Sequence, residues 1–397
     1  MANKPKIRFK GFDDAWEQRK LNELLKKYED PVDTPHNGYE RIGIRSHAKG
    51  TFHSFVEPGK ELDTAKMHRV ASDKFILNIT FAWEHAVAIT NENDAGKLVS
   101  HRFPQFSFDE KLKSHFFKYL MLDRKFKEHL ELSSPGGAGR NRVLKISDML
   151  KYEIKIPSIG EQTKIAKYLD ELDHLITLHQ RKCDQMKELK KYMLKKMFPQ
   201  NGAKVPEIRF DGFTDDWEQR KLGDVAEFSK GSGYSKGDLV EYGTPIILYG
   251  RLYTNYETRI SDIDTFVDAK VGSVYSKGGE VIVPASGETA EDIARAATVD
   301  KSGILLGGDL NIVMPNKDIN SSFLTISISS GNPQRELAKK AQGKSVVHIH
   351  NEEIKNLVLP FPIKDEQNKI ASYFCQLDNL ITLHRRAHFH RRRRTYK

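Results

Sequence analysis

Pro5-Lys-Ile-Arg-Phe-Lys-Gly-Phe-Asp-Asp-Ala-Trp16-Glu-Gln-Arg-Lys-Leu21 returns as Pro206-Glu-Ile-Arg-Phe-Asp-Gly-Phe-Thr-Asp-Asp-Trp217-Glu-Gln-Arg-Lys-Leu222. Over Pro5–Leu24 and Pro206–Val225, 13 of 20 positions are identical. A second echo pairs Glu161–His179 with Glu366–His384, where 13 of 19 positions match. The offsets are 201 and 205, so the segments between the echoes differ by only four residues in length. Residues 25–160 and 226–365, in contrast, share almost no visible similarity. Self-similarity at a fixed spacing is the strongest architectural signal a sequence offers. Here one frame, held twice, carries two inserts of equal size and unlike sequence. That pattern suits a protein presenting two surfaces to two targets; a duplication whose inserts simply drifted would have blurred the frame as well.

The second echo predicts a long helix. Pro157 ends the extended stretch Tyr152–Ile156, because proline cannot continue a strand interior. Ser158 is placed to cap a helix beginning just after it, with Glu161 three residues on as its reciprocal partner. Ile165, Leu169, Leu172, Ile176, His179, Cys183, Met186, Lys190, Met193 and Met197 then recur in steps of four and three. A helix over 161–198 spans about 57 Å at ~1.5 Å per residue. Such a stripe needs another helix to cover it, and the second copy offers Ile370, Phe374, Leu377 and Ile381. His179 and Lys190 are expected to fix the register of this seam. The predicted fold class is α+β, with two mixed α/β inserts separated by two long antiparallel helices in an intramolecular coiled coil, related by a pseudo-twofold repeat. The predicted division is 1–24 (frame, first copy), 25–160 (first insert), 161–198 (spacer helix), 199–225 (linker and frame, second copy), 226–365 (second insert) and 366–397 (second helix with a divergent basic tail).

Short β-type runs bracketed by Gly and Pro mark the second insert at Thr244–Gly250, Glu280–Pro284, Gly303–Gly308 and Asn311–Pro315. Ser322–Ser329 reads as helix or strand and Arg335–Ala341 as helix. In the first insert Asp73–Ile79 and Ala86–Thr90 read as strands, with one helix over Lys113–Leu132 before the glycine-rich Ser133–Gly139.

Net charge +10 invites a nucleic-acid reading, but Arg385–Lys397 holds seven Arg or Lys and no acid, leaving 10 − 7 = +3 for the rest. Residues 25–160 sum to +4 and 226–365 to −3. DNA binding therefore requires basic residues gathered on one face of each insert. Two cysteines, Cys183 and Cys375, supply neither a disulfide framework nor a thiolate metal cage. The sequence lacks a signal-like or membrane-spanning apolar run and reads as cytoplasmic.

No motif secures a catalytic reading. Gly343-Lys344-Ser345 ends like a phosphate loop, but Ala338 stands where the first glycine belongs. His348-Ile-His350 and His388-Phe-His390 have no third ligand at metal spacing. Glu153-Ile-Lys155 and Glu353-Ile-Lys355 look like part of a nuclease metal site but fall at non-equivalent places in the repeat. No metal site or catalytic residue is assigned. A self-sufficient methyltransferase or nuclease with an unrecognised site, and a pure coiled-coil scaffold, are the competing readings.

The frame resembles the specificity subunit of type I restriction–modification enzymes. The carrying residues are Trp-Glu-Gln-Arg-Lys-Leu at Trp16 and Trp217, and Pro-x-x-x-Glu-Gln-x-Lys-Ile-Ala at Pro157–Ala166 and Pro362–Ala371, each leading to Leu-Ile-Thr-Leu-His. Tyr249-Gly250, Ser286–Thr289, Gly307–Leu310 and Gln342–Val346 also look like that family's target-recognition domains. The resemblance implies two such domains, each reading one half of a split, asymmetric DNA target, with helices that set the gap. It also implies two modification (methyltransferase) subunits carrying S-adenosylmethionine, and restriction (motor-nuclease) subunits with ATP and magnesium, leaving this chain non-catalytic and without a cofactor of its own.

Side chains reading major-groove edges and cations holding phosphates give the candidate DNA contacts. In the first insert they are Arg45, Lys49, His85, Arg102, Arg140, Asn141 and Arg142. In the second they are Tyr249, Arg251, Ser286, Glu288, Thr289, Lys344 and Ser345, with Glu288 suited to accept from cytosine.

Overall fold

A four-residue ladder closes each copy of the frame. Glu17–Lys20 runs antiparallel to Glu153–Ile156, and Glu218–Lys221 runs antiparallel to Val358–Phe361. The computed structural model describes the chain except residues 1–4, 6, 63, 65, 137–141, 201, 344–345 and 396–397, and describes no side chains from 386 onward. It comprises two units, 1–174 and 175–397, with the division falling inside the first long helix, Ile159–Lys196.

In the first unit Leu25–Tyr28, Gln105–Phe108, Phe75–Leu77 and Val87–Ile89 lie side by side in that order, all neighbours antiparallel. In the second unit Ala226–Lys230, Leu310–Pro315, Val281–Pro284 and Ala297–Val299 repeat that order and those directions, and Arg259–Ile260 adds a parallel edge strand. Two inserts without visible sequence similarity thus share one central sheet. A second, five-stranded sheet in each unit contains one parallel pairing, Arg41 opposite Leu98 and Ile246–Ile247 opposite Leu305–Leu306.

Two helices cover the central sheet. The single helix expected over Lys113–Leu132 is two, Ser114–Leu120 and Arg124–Leu132. Asp123 explains the break: its backbone is extended and its carboxylate accepts from the Lys125 amide at 3.0 Å, which starts a new helix. In the second unit Asn320 caps Ser321–Ile328 by accepting from the Phe323 amide at 2.9 Å. Ser322–Ser329 is therefore helical, and residues 323–328 are all buried.

The echoed residues make the same contacts twice. Both oxygens of Glu161 accept from Arg8 (2.7 Å each), and both of Glu366 from Arg209 (2.7 and 2.8 Å). Glu161 is therefore held by Arg8, which corrects its expected role as a capping partner. Gln162 Oε1 accepts from the Lys113 amide while its Nε2 donates to the Lys111 and Pro157 carbonyls. Gln367 does the same with the Asn320 amide and the Asp318 and Pro362 carbonyls. Trp16 meets Phe116 edge-on as Trp217 meets Phe323, and Phe9 meets Tyr168 as Phe210 meets Tyr373. The echo is the set of residues that fastens each insert to the root of a long helix.

The helix pairing expected from the apolar stripe is present within the second unit. Cys183 Sγ lies against the Ile381 carbonyl, His179 against His384, and Lys190 Nζ donates to Asp378 Oδ1 at 2.5 Å, so residues 175–196 run antiparallel to Lys364–Thr395. His179 and Lys190 lie in the pairing as expected. The stripe does more than line a seam, however. Ile370, Phe374 and Leu377 are buried in one core with Trp217, Phe323, Met197 and Phe198, and Ile381 is 8% exposed. Ile165 packs against the first unit's core, while Leu169, Leu172 and Ile176 are half-buried. Asp170 and Asp173 join this helix to the first insert through the Tyr119 hydroxyl, at 2.8 and 3.1 Å, and Lys118 also donates to Asp170. Burial opposes the charge on Asp170, but its donors outweigh that and hold the carboxyl below its usual range.

Candidate nucleic-acid interface

In the first unit the turn after Phe75–Leu77 organises everything else. Ala82–Glu84 forms a single 3₁₀ turn, and His85 leaves it in the left-handed region at φ +63°. His85 is 6% exposed, and its Nε2 stands 2.7 Å from the Met121 carbonyl, which can only accept. Burial pushes the imidazole below its ordinary range, so at neutral pH it is uncharged with the proton on Nε2. The expectation that His85 touches DNA is corrected: its ring is consumed inside the insert. Its backbone carries the next layer. The amides of His47 and Ala48 donate to the Glu84 and His85 carbonyls, and Ser46 Oγ donates to Glu84 Oε2. Loop 45–50, with exposed Arg45 and Lys49, therefore hangs on this turn.

The same turn meets the segment after the glycine-rich loop. The Leu144 amide donates to the Ile79 carbonyl at 2.8 Å, and the Ile79 amide donates to the Arg102 carbonyl at 3.0 Å. The Arg142 guanidinium sits 5.5 Å from the centre of the Trp83 ring, and that of Arg45 sits 5.3 Å from Phe52. Hydrogen bonds and ring contacts thus link Arg45, Lys49, Arg102 and Arg142 around one turn. Arg140 and Asn141 lie outside the described residues. Trp83, which organises the cluster, was missed; no local motif marks it.

The second unit builds the same junction from other residues. Ser286–Gly287 pairs antiparallel with Val347–His348, and the Ile349 amide donates to the Ala285 carbonyl at 3.1 Å. Ser286 Oγ lies 3.3 Å from His348 Nδ1, and His348 stacks on His350 at an interplanar angle of 11°. The Tyr253 hydroxyl donates to the Ser286 carbonyl at 2.7 Å, its phenol pushed well up by burial, and Tyr249 packs edge-on against it. Tyr249, Glu288 and Thr289 are exposed; Ser286 is 7% exposed. Thr289 Oγ1 caps Ala290–Ile293.

Arg251 departs from expectation. Its side chain is 9% exposed and donates to Glu257 (3.0 Å), Asp264 (2.6 Å) and the Asp262 carbonyl (2.8 Å), so it is spent on internal pairing. Lys344 and Ser345 lie outside the described residues. Two glycines stand where the backbone approaches closely. A Cβ on Gly231 would meet the Gly307 carbonyl oxygen at 1.9 Å, and one on Gly343, at φ +136°, would meet the Val346 oxygen at 1.9 Å. His348, set aside with the histidine pairs, reaches Ser286 through a strand pairing that no local motif encodes. Glu353 caps Asn351–Lys355, and Glu153 accepts from Gln18.

A model of the type I restriction modification DNA specificity domain matches residues 14–188 and again 214–388. The chain belongs to that family. It is similar to the type I restriction enzyme MjaVIII specificity subunit of Methanocaldococcus jannaschii, 25% identical over 256 residues, covering 61% of this chain and 58% of that protein. The chain thus spans a little over half the length of that relative. Among solved structures, the type I restriction–modification system S subunit from M. genitalium aligns with TM-score 0.60 at 13% identity, over 100% of this chain and 97% of that one. A second, from work on complex assembly and conformational transition of the type I R–M system, aligns with TM-score 0.51 at 16% identity, over 97% and 96%. Those alignments extend the shared fold across both repeats of this specificity-family chain. Among the described residues no helix is long and apolar enough to cross a membrane.

Proposed function

We propose that this chain is the non-catalytic DNA-specificity subunit of a type I restriction–modification complex. Each unit reads one half of a split, asymmetric duplex target in the major groove, and the long helices set the gap. The observation that carries this is a duplicated set of fastening contacts supporting two chemically different junctions. Arg8–Glu161 and Arg209–Glu366 repeat the scaffold, while Arg142–Trp83 and Ser286–His348 differ at its working end. Readout of base edges by a few side chains, with cations on phosphates, suits such junctions. Catalysis then rests with two modification subunits, which carry S-adenosylmethionine, and with restriction subunits, which use ATP and magnesium; the exposed faces of the paired helices offer their docking surface. The test is to express the chain with a cognate modification subunit and map methylated sites genome-wide. A bipartite motif, one half of which changes when residues 25–160 are exchanged, supports the reading; a contiguous motif or none overturns it.

A further inference from the structure

The two junctions occupy one topological place. In both units the segment after the second covering helix returns to donate a backbone hydrogen bond to the turn after the same central strand, Leu144 to Ile79 and Ile349 to Ala285. Aligning those pairs sets Arg142 and Trp83 of the first unit where the second has Val347 and Thr289, beside the Ser286–His348 contact. The scaffold is shared and the chemistry is not. The second junction offers hydroxyl and imidazole groups that donate and accept, together with the Glu288 carboxylate, which only accepts. The first offers a guanidinium, which donates only.

Arg142 is held for use rather than spent. Its guanidinium lies over the Trp83 ring, 5.5 Å from the ring centre, which limits where it can swing, and Trp83 is held in turn by its Nε1 donating to the Thr80 carbonyl at 3.2 Å. The Glu131 carboxylate stands 3.7 Å from Arg142 Nη1, a loose ion pair without a hydrogen bond that leaves the donors of the fork available, and the side chain is 31% exposed. Arg251, in contrast, is 9% exposed with three acceptors in hydrogen-bond range. A planar fork of donors on an aromatic shelf matches the paired O6 and N7 acceptors that guanine alone presents in the major groove.

From this we infer that Arg142 reads a guanine, so the half-site recognised by the first unit contains a G·C pair whose identity depends on this side chain. The inference rests on the first unit being a DNA reader. His85, Trp83 and the Ile79–Leu144 hydrogen bond act as positioning groups for it.

The test is selection from a random duplex pool by the full chain in complex with cognate modification subunits, comparing wild type with Arg142→Ala, Arg142→Lys and, as a control, Arg124→Ala on the neighbouring helix. Arg142→Ala should lose preference for guanine at one position of one half-site, about tenfold or more, and leave the other half unchanged. Arg142→Lys, which keeps the charge and loses the fork, should lose the same preference, and melting temperatures should show both variants folded. Uniform weakening at every position, with the salt slope lower by about one, would make Arg142 a phosphate contact and overturn the inference. An unchanged profile in a wild-type complex that does select a bipartite site overturns this inference alone. A wild-type complex with no bipartite preference removes the parent reading and this one together.

Discussion

His179 and His384, the last residues of the two copies of one echo, lie side by side with their Nδ1 atoms 3.1 Å apart. Equivalent positions meet each other only at a local twofold axis, so this contact marks a local dyad of the antiparallel helix pair. Two Nδ1 atoms at that distance form a hydrogen bond when one ring carries its proton there and the other does not. Replacing either histidine by alanine removes a hydrogen bond of about 1 kcal/mol, and a double-mutant cycle should show coupling of similar size. Additive losses in denaturant unfolding would show that the two rings merely lie near each other.

Arg209 and Glu366 form a bidentate pair with the Glu366 side chain 0% exposed. Removing one partner of such a pair strands a buried charge, at a typical cost of about 3–5 kcal/mol, whereas removing both charges costs much less. Arg209→Met alone should therefore destabilise the second unit strongly, and Arg209→Met combined with Glu366→Gln should recover most of the loss. Guanidinium melts of the three proteins decide it. A double variant as unstable as the single would show that the charge itself was needed.

His85 gives the first unit a pH dependence of definite sign. Burial lowers its folded pKa below the ordinary value of 6.5. The unfolded chain therefore takes up a proton in a range where the folded chain does not, and stability falls as pH drops below about 6.5. The effect should show in Trp83 fluorescence, because Trp83 sits two residues away on the same turn. His85→Gln, which keeps a donor for the Met121 carbonyl, should flatten the slope between pH 5 and 7. A slope unchanged by that substitution would place the titration elsewhere.

Much of the architecture was legible because the frame performs one job twice. The Arg–Glu, Gln–backbone and Trp–Phe contacts use the same residues in both copies, so Trp16, Trp217, Glu161 and Glu366 stand out, and the 3.5-residue stripe announced the helix pairing. The shared central sheet was not legible. Buried strands such as Val281–Pro284 and Phe75–Leu77 need only apolar side chains of suitable shape, and many sequences supply them. Site residues were legible by type and not by burial. Arg251 and His85 are as polar as Arg142, and only the fold shows that Asp264 and the Met121 carbonyl had already engaged them. Ser286–His348 depends on pairing across 62 positions, which no local pattern encodes.

Gly343 stands next to a backbone pair between Gln342 and His348. The Gln342 amide donates to the His348 carbonyl and the His348 amide to the Gln342 carbonyl, at 3.1 and 2.8 Å, which brings the Val346 oxygen onto the face where a Cβ would stand. Gly343→Ala must open the loop, since a backbone oxygen cannot tolerate a Cβ at 1.9 Å, and that shifts His348 from Ser286. Of the described residues in this segment only Val347 joins the buried core, so the core as a whole should survive. Loss of sequence preference in the half-site read by the second unit, with the other half and the melting temperature nearly unchanged, is the expected result. An unaltered preference would mean that this loop does not approach the duplex.

Salt dependence separates the arginines that face outward from those that do not. A cation neutralising one phosphate contributes about 0.9 to the slope of log affinity against log salt. Arg102 and Lys49 are exposed beside the first junction, so replacing either by alanine should weaken binding to all sequences alike and lower the slope by about one. Arg251 is enclosed by Glu257, Asp264 and the Asp262 carbonyl. Arg251→Ala should leave the slope alone and act through stability, because two carboxylates lose their partner at once. Measuring slope and unfolding midpoint on the same three variants tests the assignment. If Arg251→Ala lowered the slope at an unchanged midpoint, the guanidinium would have to leave its carboxylates to reach the duplex.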